Sequence, residues 1–94
     1  MLENRKFRPD VVMGPLGEPL TLASLPPADT TRWVSRRKAE VVAAVNGGLL
    51  SIYDACDRYN LTLEEFASWQ RSYARSGIPG LRVKRIQYNR TLDR

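Results

Sequence analysis

The chain has 94 residues and a formal charge of +5, with 43% hydrophobic and 27% charged side chains; this is the balance of one small folding unit rather than of a disordered chain. It contains no histidine and a single cysteine, Cys56, which excludes imidazole acid–base chemistry, Ser–His and Cys–His nucleophile pairs, mixed-ligand zinc sites and an internal disulfide. We therefore expect a binding module and not an enzyme, with no catalytic residue, metal, cofactor or small-molecule ligand.

Residues 1–30 read as an N-terminal arm. Five of the six prolines fall here: Pro9, Pro15, Pro19, Pro26 and Pro27. Such a density forbids a helix. Val11–Met13 and Leu20–Leu22 flank Gly14-Pro15-Leu16-Gly17-Glu18-Pro19, which predicts a short hairpin over 11–13 and 20–22. Leu25-Pro26-Pro27 follows as a stiff connector. A hairpin this small needs a neighbour. The alternating stretch Leu81-Arg82-Val83-Lys84-Arg85-Ile86-Gln87 is the expected third strand, so that 81–94 reads as a basic C-terminal strand and tail.

Residues 31–80 carry a helical pattern. The first helix is predicted over 34–46, capped by Thr31 or Ser35 and stopped by Asn46-Gly47-Gly48; it is mostly apolar after Lys38 and belongs in the core. The second, over 51–59, opens on Ser51-Ile52-Tyr53-Asp54, a capping box with Asp in the Glu position. Asn60 tolerates positive φ and supplies the turn. Thr62-Leu63-Glu64-Glu65 is a second box, and the third helix runs over 63–76 until Gly77 and Pro79-Gly80 end it. Cys56 is small enough to let the last two helices cross closely, Leu61 plugs their angle, and Ile52, Ala55, Tyr59, Phe66 and Trp69 face inward. Two capped helices joined by a tight turn form a helix-turn-helix. The expected fold is mainly α: a three-helix helix-turn-helix domain, with a small β element made by the N-terminal hairpin and the C-terminal strand.

Charge is unevenly spread. Residues 62–94 carry seven basic and three acidic groups, whereas residues 1–29 carry three and four. Positive field in the second half attracts polyanions or an acidic protein face. Within the helical domain the densest basic cluster is Arg32, Arg36, Arg37 and Lys38, at a helix start where the dipole disfavours cations by roughly 0.3–1 kcal/mol each. That cost points to a partner- or phosphate-binding face, since arginine pairs bidentately with carboxylate and phosphate; the plain alternative is a solvated face with Glu40 pairing one arginine. On the third helix Thr62, Glu64, Ser68, Arg71 and Arg75 stand where a helix-turn-helix reads base edges. Glu64 and Glu65 would repel phosphates there, so direct groove reading looks weaker than the fold suggests. Arg82, Lys84 and Arg85 form a basic tail that either binds or protects a sheet edge.

Several longer motifs carry a family likeness. Arg32-Trp33-Val34, Arg36-Arg37-Lys38-Ala39-Glu40-Val41-Val42-Ala43-Ala44-Val45, Gly47-Gly48-Leu49-Leu50-Ser51, Tyr59-Asn60-Leu61-Thr62, Ser68-Trp69-Gln70-Arg71 and Pro79-Gly80-Leu81-Arg82-Val83 resemble the SciP-like family of small bacterial cell-cycle proteins. The likeness extends from about Val11 to Gln87. Residues 35–72 are more loosely similar to the helix-turn-helix of insertion-sequence transposases. The SciP-like resemblance implies repression of transcription driven by the response regulator CtrA through contact with that regulator, with DNA binding also implied for the family.

The expected function is thus a cytoplasmic bacterial transcriptional regulator that represses a CtrA-like response regulator by docking on it at promoters. The alternative is a direct, sequence-specific DNA-binding helix-turn-helix protein. The start, Met1-Leu2-Glu3-Asn4-Arg5-Lys6, lacks the apolar stretch of a signal peptide, and no apolar run approaches a membrane span, so no membrane partner is expected.

Overall fold

The computed structural model describes residues 8–81. Val12–Met13 (β1) and Pro19–Leu20 (β2) pair antiparallel, with Val12 opposite Leu20 and Met13 opposite Pro19. Alternation along the strands sends Leu20 into the core at 2% exposure and leaves Met13 in solvent. The hairpin is shorter than its apolar residues imply, and Leu22 leaves it altogether. Thr21 and Ser24 cap each other, Thr21 Oγ1 accepting from the Ser24 amide at 3.1 Å and Ser24 Oγ from the Thr21 amide at 2.8 Å. This reciprocal bonding turns Leu22–Ser24 into a 3-10 helix.

The three helices follow the capping chemistry. α1 spans Ser35–Asn46, α2 Ile52–Tyr59 and α3 Leu63–Ser76. Ser51 and Asp54 form the box that starts α2, and Thr62 and Glu65 the box that starts α3. α1 departs from expectation. Neither Thr31 nor Ser35 caps it; its N-cap is Val34, which has no side-chain oxygen to offer, and Ser35 is already the first helical residue. At its end Gly47 stays right-handed and Gly48 takes the positive φ, +89°. Asn60 is the one non-glycine residue with positive φ among those described, at φ 57° and ψ 48°. There it caps α2 and reverses the chain within three residues.

The core lies around α1. Ala39, Val41, Val42 and Ala44 are fully buried, together with Ala55 and Phe66, and Leu20, Leu25, Leu49, Leu50 and Tyr59 close around them. Cys56, Leu61 and Trp69, expected to be buried with Phe66, pack against this cluster but stay partly open to solvent. The Pro-rich connector is pinned by a buried bond: the Tyr59 hydroxyl donates to the Pro26 carbonyl at 2.7 Å. Trp33 meets the Tyr59 ring edge-on at 5.1 Å and the Trp69 ring at 5.0 Å.

After α3 the chain does not open into a strand at Leu81. Ile78–Leu81 forms a second 3-10 helix, with Leu81 buried. It lies so close to α3 that a Cβ on Gly80 would stand 2.5 Å from the Ser72 carbonyl oxygen. The sheet has two strands among the described residues, and the expected third strand over 82–87 lies outside them. No helix among the described residues is long and apolar enough to cross a membrane.

The turn at residue 60 gives a direct test. Asn60→Gly should leave the urea midpoint close to that of the parent. Asn60→Val should lower stability by about 1–2 kcal/mol, because a branched Cβ in the left-handed region meets its own carbonyl.

Candidate docking surface

The basic cluster at the start of α1 divides in the folded chain. Arg32, Arg36 and Arg37 are exposed. Arg32 precedes and Arg36 and Arg37 stand in the first turn of a helix with no side-chain cap and no acidic residue there, where unpaired N–H groups of the helix start add positive partial charge. Arg36 Nε lies 3.7 Å from Glu40 Oε2, which is the local pairing that the plain reading anticipates. Burial nevertheless pushes the Glu40 carboxyl above the usual range, with Arg36 pulling it down and Glu18 adding to the rise. At 3.7 Å, with the Arg36 side chain 58% open to solvent, the pair is a loose one.

Lys38 points elsewhere. At roughly 100° per residue it stands on the other side of α1 from Arg36. Its Nζ donates to the Leu81 carbonyl at 3.3 Å and sits 5.5 Å from the Trp69 ring centroid. It ties α1 to the terminal 3-10 helix and to α3, a role that composition did not reveal. An isolated Lys inside an Arg run carries little signal, although its adjacency to the buried Ala39 hints at a stem laid along the core.

The residues expected to read DNA also separate by role. Thr62 Oγ1 is occupied by the Glu65 amide at 3.0 Å, and Glu65 Oε1 accepts from the Thr62 amide at 2.9 Å. Both side chains are spent on the cap. Glu64, Ser68, Arg71 and Arg75 are exposed and recur at spacings of four, three and four, forming one outward stripe of α3. An acid heads that stripe. More acids lie nearby on α2, at Asp54 and Asp57.

Asp54 is engaged twice. It closes the Ser51 cap, and its Oδ2 accepts from Arg8 Nη1 at 3.0 Å; the Arg8 hydrogen bond leads in holding its carboxyl below the ordinary range. This long-range pair between the arm and α2 had no signature in the sequence. Burial pushes the Cys56 thiol up, and its Sγ lies 3.7 Å from the Thr62 carbonyl, which suits a small residue at a helix crossing. Arg82, Lys84 and Arg85 lie outside the described residues. Among the described residues no group of three or more His, Cys, Asp or Glu side chains comes together to hold a metal ion. Residues 8–81 contain eight basic and eight acidic side chains. The described residues are thus neutral in sum and charged in patches.

Residues 4–90 match the family described as protein of unknown function DUF1153. The chain belongs to this family. The DUF1153 chain is also similar to two proteins whose solution structures are known by NMR. One is the protein coded by gene RHOS4_12090 of Rhodobacter sphaeroides, a Northeast Structural Genomics target, at 46% identity over 100% of this chain and 99% of that one, with a TM-score of 0.70. The other is the Northeast Structural Genomics Consortium target SiR5, at 38% identity over 88% and 87% of the two chains and a TM-score of 0.56. No curated protein matches the chain significantly.

Two substitutions test these assignments. Lys38→Ala should destabilise the DUF1153 domain by about 1–2 kcal/mol, through loss of a charge-assisted bond and of packing on Trp69. Asp54 has a depressed folded-state pKa, so its contribution is present above about pH 4 and is lost as pH falls through the lower folded value. Asp54→Asn should accordingly flatten the acid side of a stability–pH curve while leaving the curve at higher pH similar in shape.

Proposed function

We propose that this DUF1153 chain is a bacterial, cytoplasmic, non-enzymatic regulator of transcription that represses by docking on a CtrA-like response regulator at promoters. The observation that supports this reading is the exposure of Arg32, Arg36 and Arg37 around the uncapped start of α1. Three cations held where the helix dipole opposes them, with one loose ion pair among them, suit an acidic protein surface. The SciP-like motifs quoted above agree with the same role, since that family is implied to act through contact with the regulator.

A second reading has its own observation. The stripe Glu64, Ser68, Arg71 and Arg75 on α3 is open to solvent, as direct DNA reading requires. It ranks lower because Glu64 meets the phosphates first and Thr62 is committed to the cap. A polar stripe on an exposed helix needs no ligand to explain it.

A gel-shift titration with and without the regulator, at two salt concentrations, separates the readings. Arg36→Glu with Arg37→Glu should abolish regulator binding and leave the fold intact, because acids at a helix start favour the dipole and exposed charge changes shift stability by only about ±0.5 kcal/mol. Ser68→Ala with Arg71→Ala should leave regulator binding unchanged. Unchanged binding in the first pair, together with salt-steep DNA affinity lost in the second, would promote the direct DNA reader.

A further inference from the structure

Beside the turn that joins α2 to α3 lies an open groove of about 340 Å³, lined by Tyr53, Cys56, Asp57, Asn60, Leu61 and Leu63. Two of its lining side chains are widely exposed: Tyr53 is 69% and Leu63 47% open to solvent. Tyr53 and Asp57 lie four residues apart on α2 and share its outward face. Leu63 projects from the first residue of α3, where Glu64 follows it.

The charge around the groove is acidic and largely uncompensated. Asp54 is taken by Arg8 and the Ser51 cap, and Glu65 by the Thr62 cap. Asp57 and Glu64 make no ion pair among the described residues. Arg58, the nearest cation in sequence, turns instead onto Tyr59, its Nε donating to the hydroxyl at 3.1 Å. Within the groove an exposed aromatic and an exposed leucine accompany one carboxylate, Asp57, and a second exposed carboxylate, Glu64, follows Leu63 in the first turn of α3, so that the surface is amphipathic. Phosphates are repelled here, and a simple cation leaves the apolar half unused.

We propose that this groove docks a cationic amphipathic segment of a partner protein. An Arg or Lys of that segment lies against Asp57 and Glu64, and a neighbouring aliphatic or aromatic side chain lies between Tyr53 and Leu63. The open, shallow shape suits a peptide or helix edge better than an enclosed ligand. The surface is separate from the α1 arginines and opposite to them in sign, so this assignment does not rest on the function proposed above.

The test is an NMR titration of the isotope-labelled full chain with a short amphipathic peptide of leucine and arginine, with its glutamate counterpart, and with a DNA duplex. The arginine peptide should shift the amides of the groove residues, and the glutamate peptide should not. Tyr53→Ala with Leu63→Ala should weaken binding roughly tenfold or more, and Asp57→Asn with Glu64→Gln should do the same. All four side chains are exposed or at the rim, and the dispersion of the unliganded spectrum reports that each variant is folded. The proposal is overturned if the apolar pair leaves affinity unchanged, which would mark diffuse charge attraction, or if the duplex shifts the groove. It is equally overturned if the free chain shows concentration-dependent shifts there that vanish in the Arg36→Glu, Arg37→Glu variant, making a second copy the occupant. Perturbation of residues 82–94 in the free Asp57→Asn, Glu64→Gln variant would assign the groove to the chain's own tail and overturn it too.

Discussion

The fold depends on the middle of α1 being buried on nearly every side. Ala39, Val41, Val42 and Ala44 have no exposure at all, so the helix needs neighbours around its whole girth. The alanines let those neighbours approach closely, and the valines fill the gaps between them. The hairpin covers one side of α1, with a Cβ on Gly47 coming to 2.8 Å from Val12. α3 and the terminal 3-10 helix cover another, clamped by Lys38. α2 completes the enclosure through Ala55 and Tyr59. With so much of the helix committed to the core, α1 meets solvent mainly at its two ends, with the exposed Arg36 and Arg37 in its first turn and Asn46 at its last residue.

Legibility in the sequence follows from range. Ser51, Asp54, Thr62 and Glu65 act on atoms three residues away, and Asn60 on its own backbone, so α2, the turn and α3 could be read off with boundaries nearly unchanged. Phe66 and Ala55 were legible for a related reason, since helical spacing alone turns them inward. What escaped was long-range or competitive. Lys38 meets Leu81 across 43 positions and Arg8 meets Asp54 across 46. Neither pairing leaves a periodic trace. Leu22 leaves the expected strand because two hydroxyl groups outcompete a ladder that only apolar alternation supports. In the site, exposed arginines were visible as charge, but their division into a solvent-facing trio and one clamping lysine required the third dimension.

A helix-turn-helix is a way of crossing two short helices, and it carries no obligation to read bases. Here the crossing is held by caps and by Phe66, while the surface around it is apolar and acidic. The densest positive cluster lies on another helix, at the start of α1, while α3 keeps Arg71 and Arg75 in its outward stripe. Because residues 8–81 are neutral in sum, long-range attraction to a polyanion must come from the flanking residues, where the chain's excess of lysine and arginine is found. Contacts made by residues 8–81 are therefore short-range and selective for the shape of a patch.

The aromatic cluster gives the molecule an optical property. Both tryptophans of the chain, Trp33 and Trp69, stand 5.0 Å apart with their ring planes inclined at 56°, close enough for their transition dipoles to couple. Trp33 adjoins Arg32, and Trp69 lies under the Lys38 ammonium. The tryptophan emission of the protein thus arises from one locus, shared between the base of the arginine-bearing helix and α3. Anything that tightens or loosens the start of α1 is written into that light without a label.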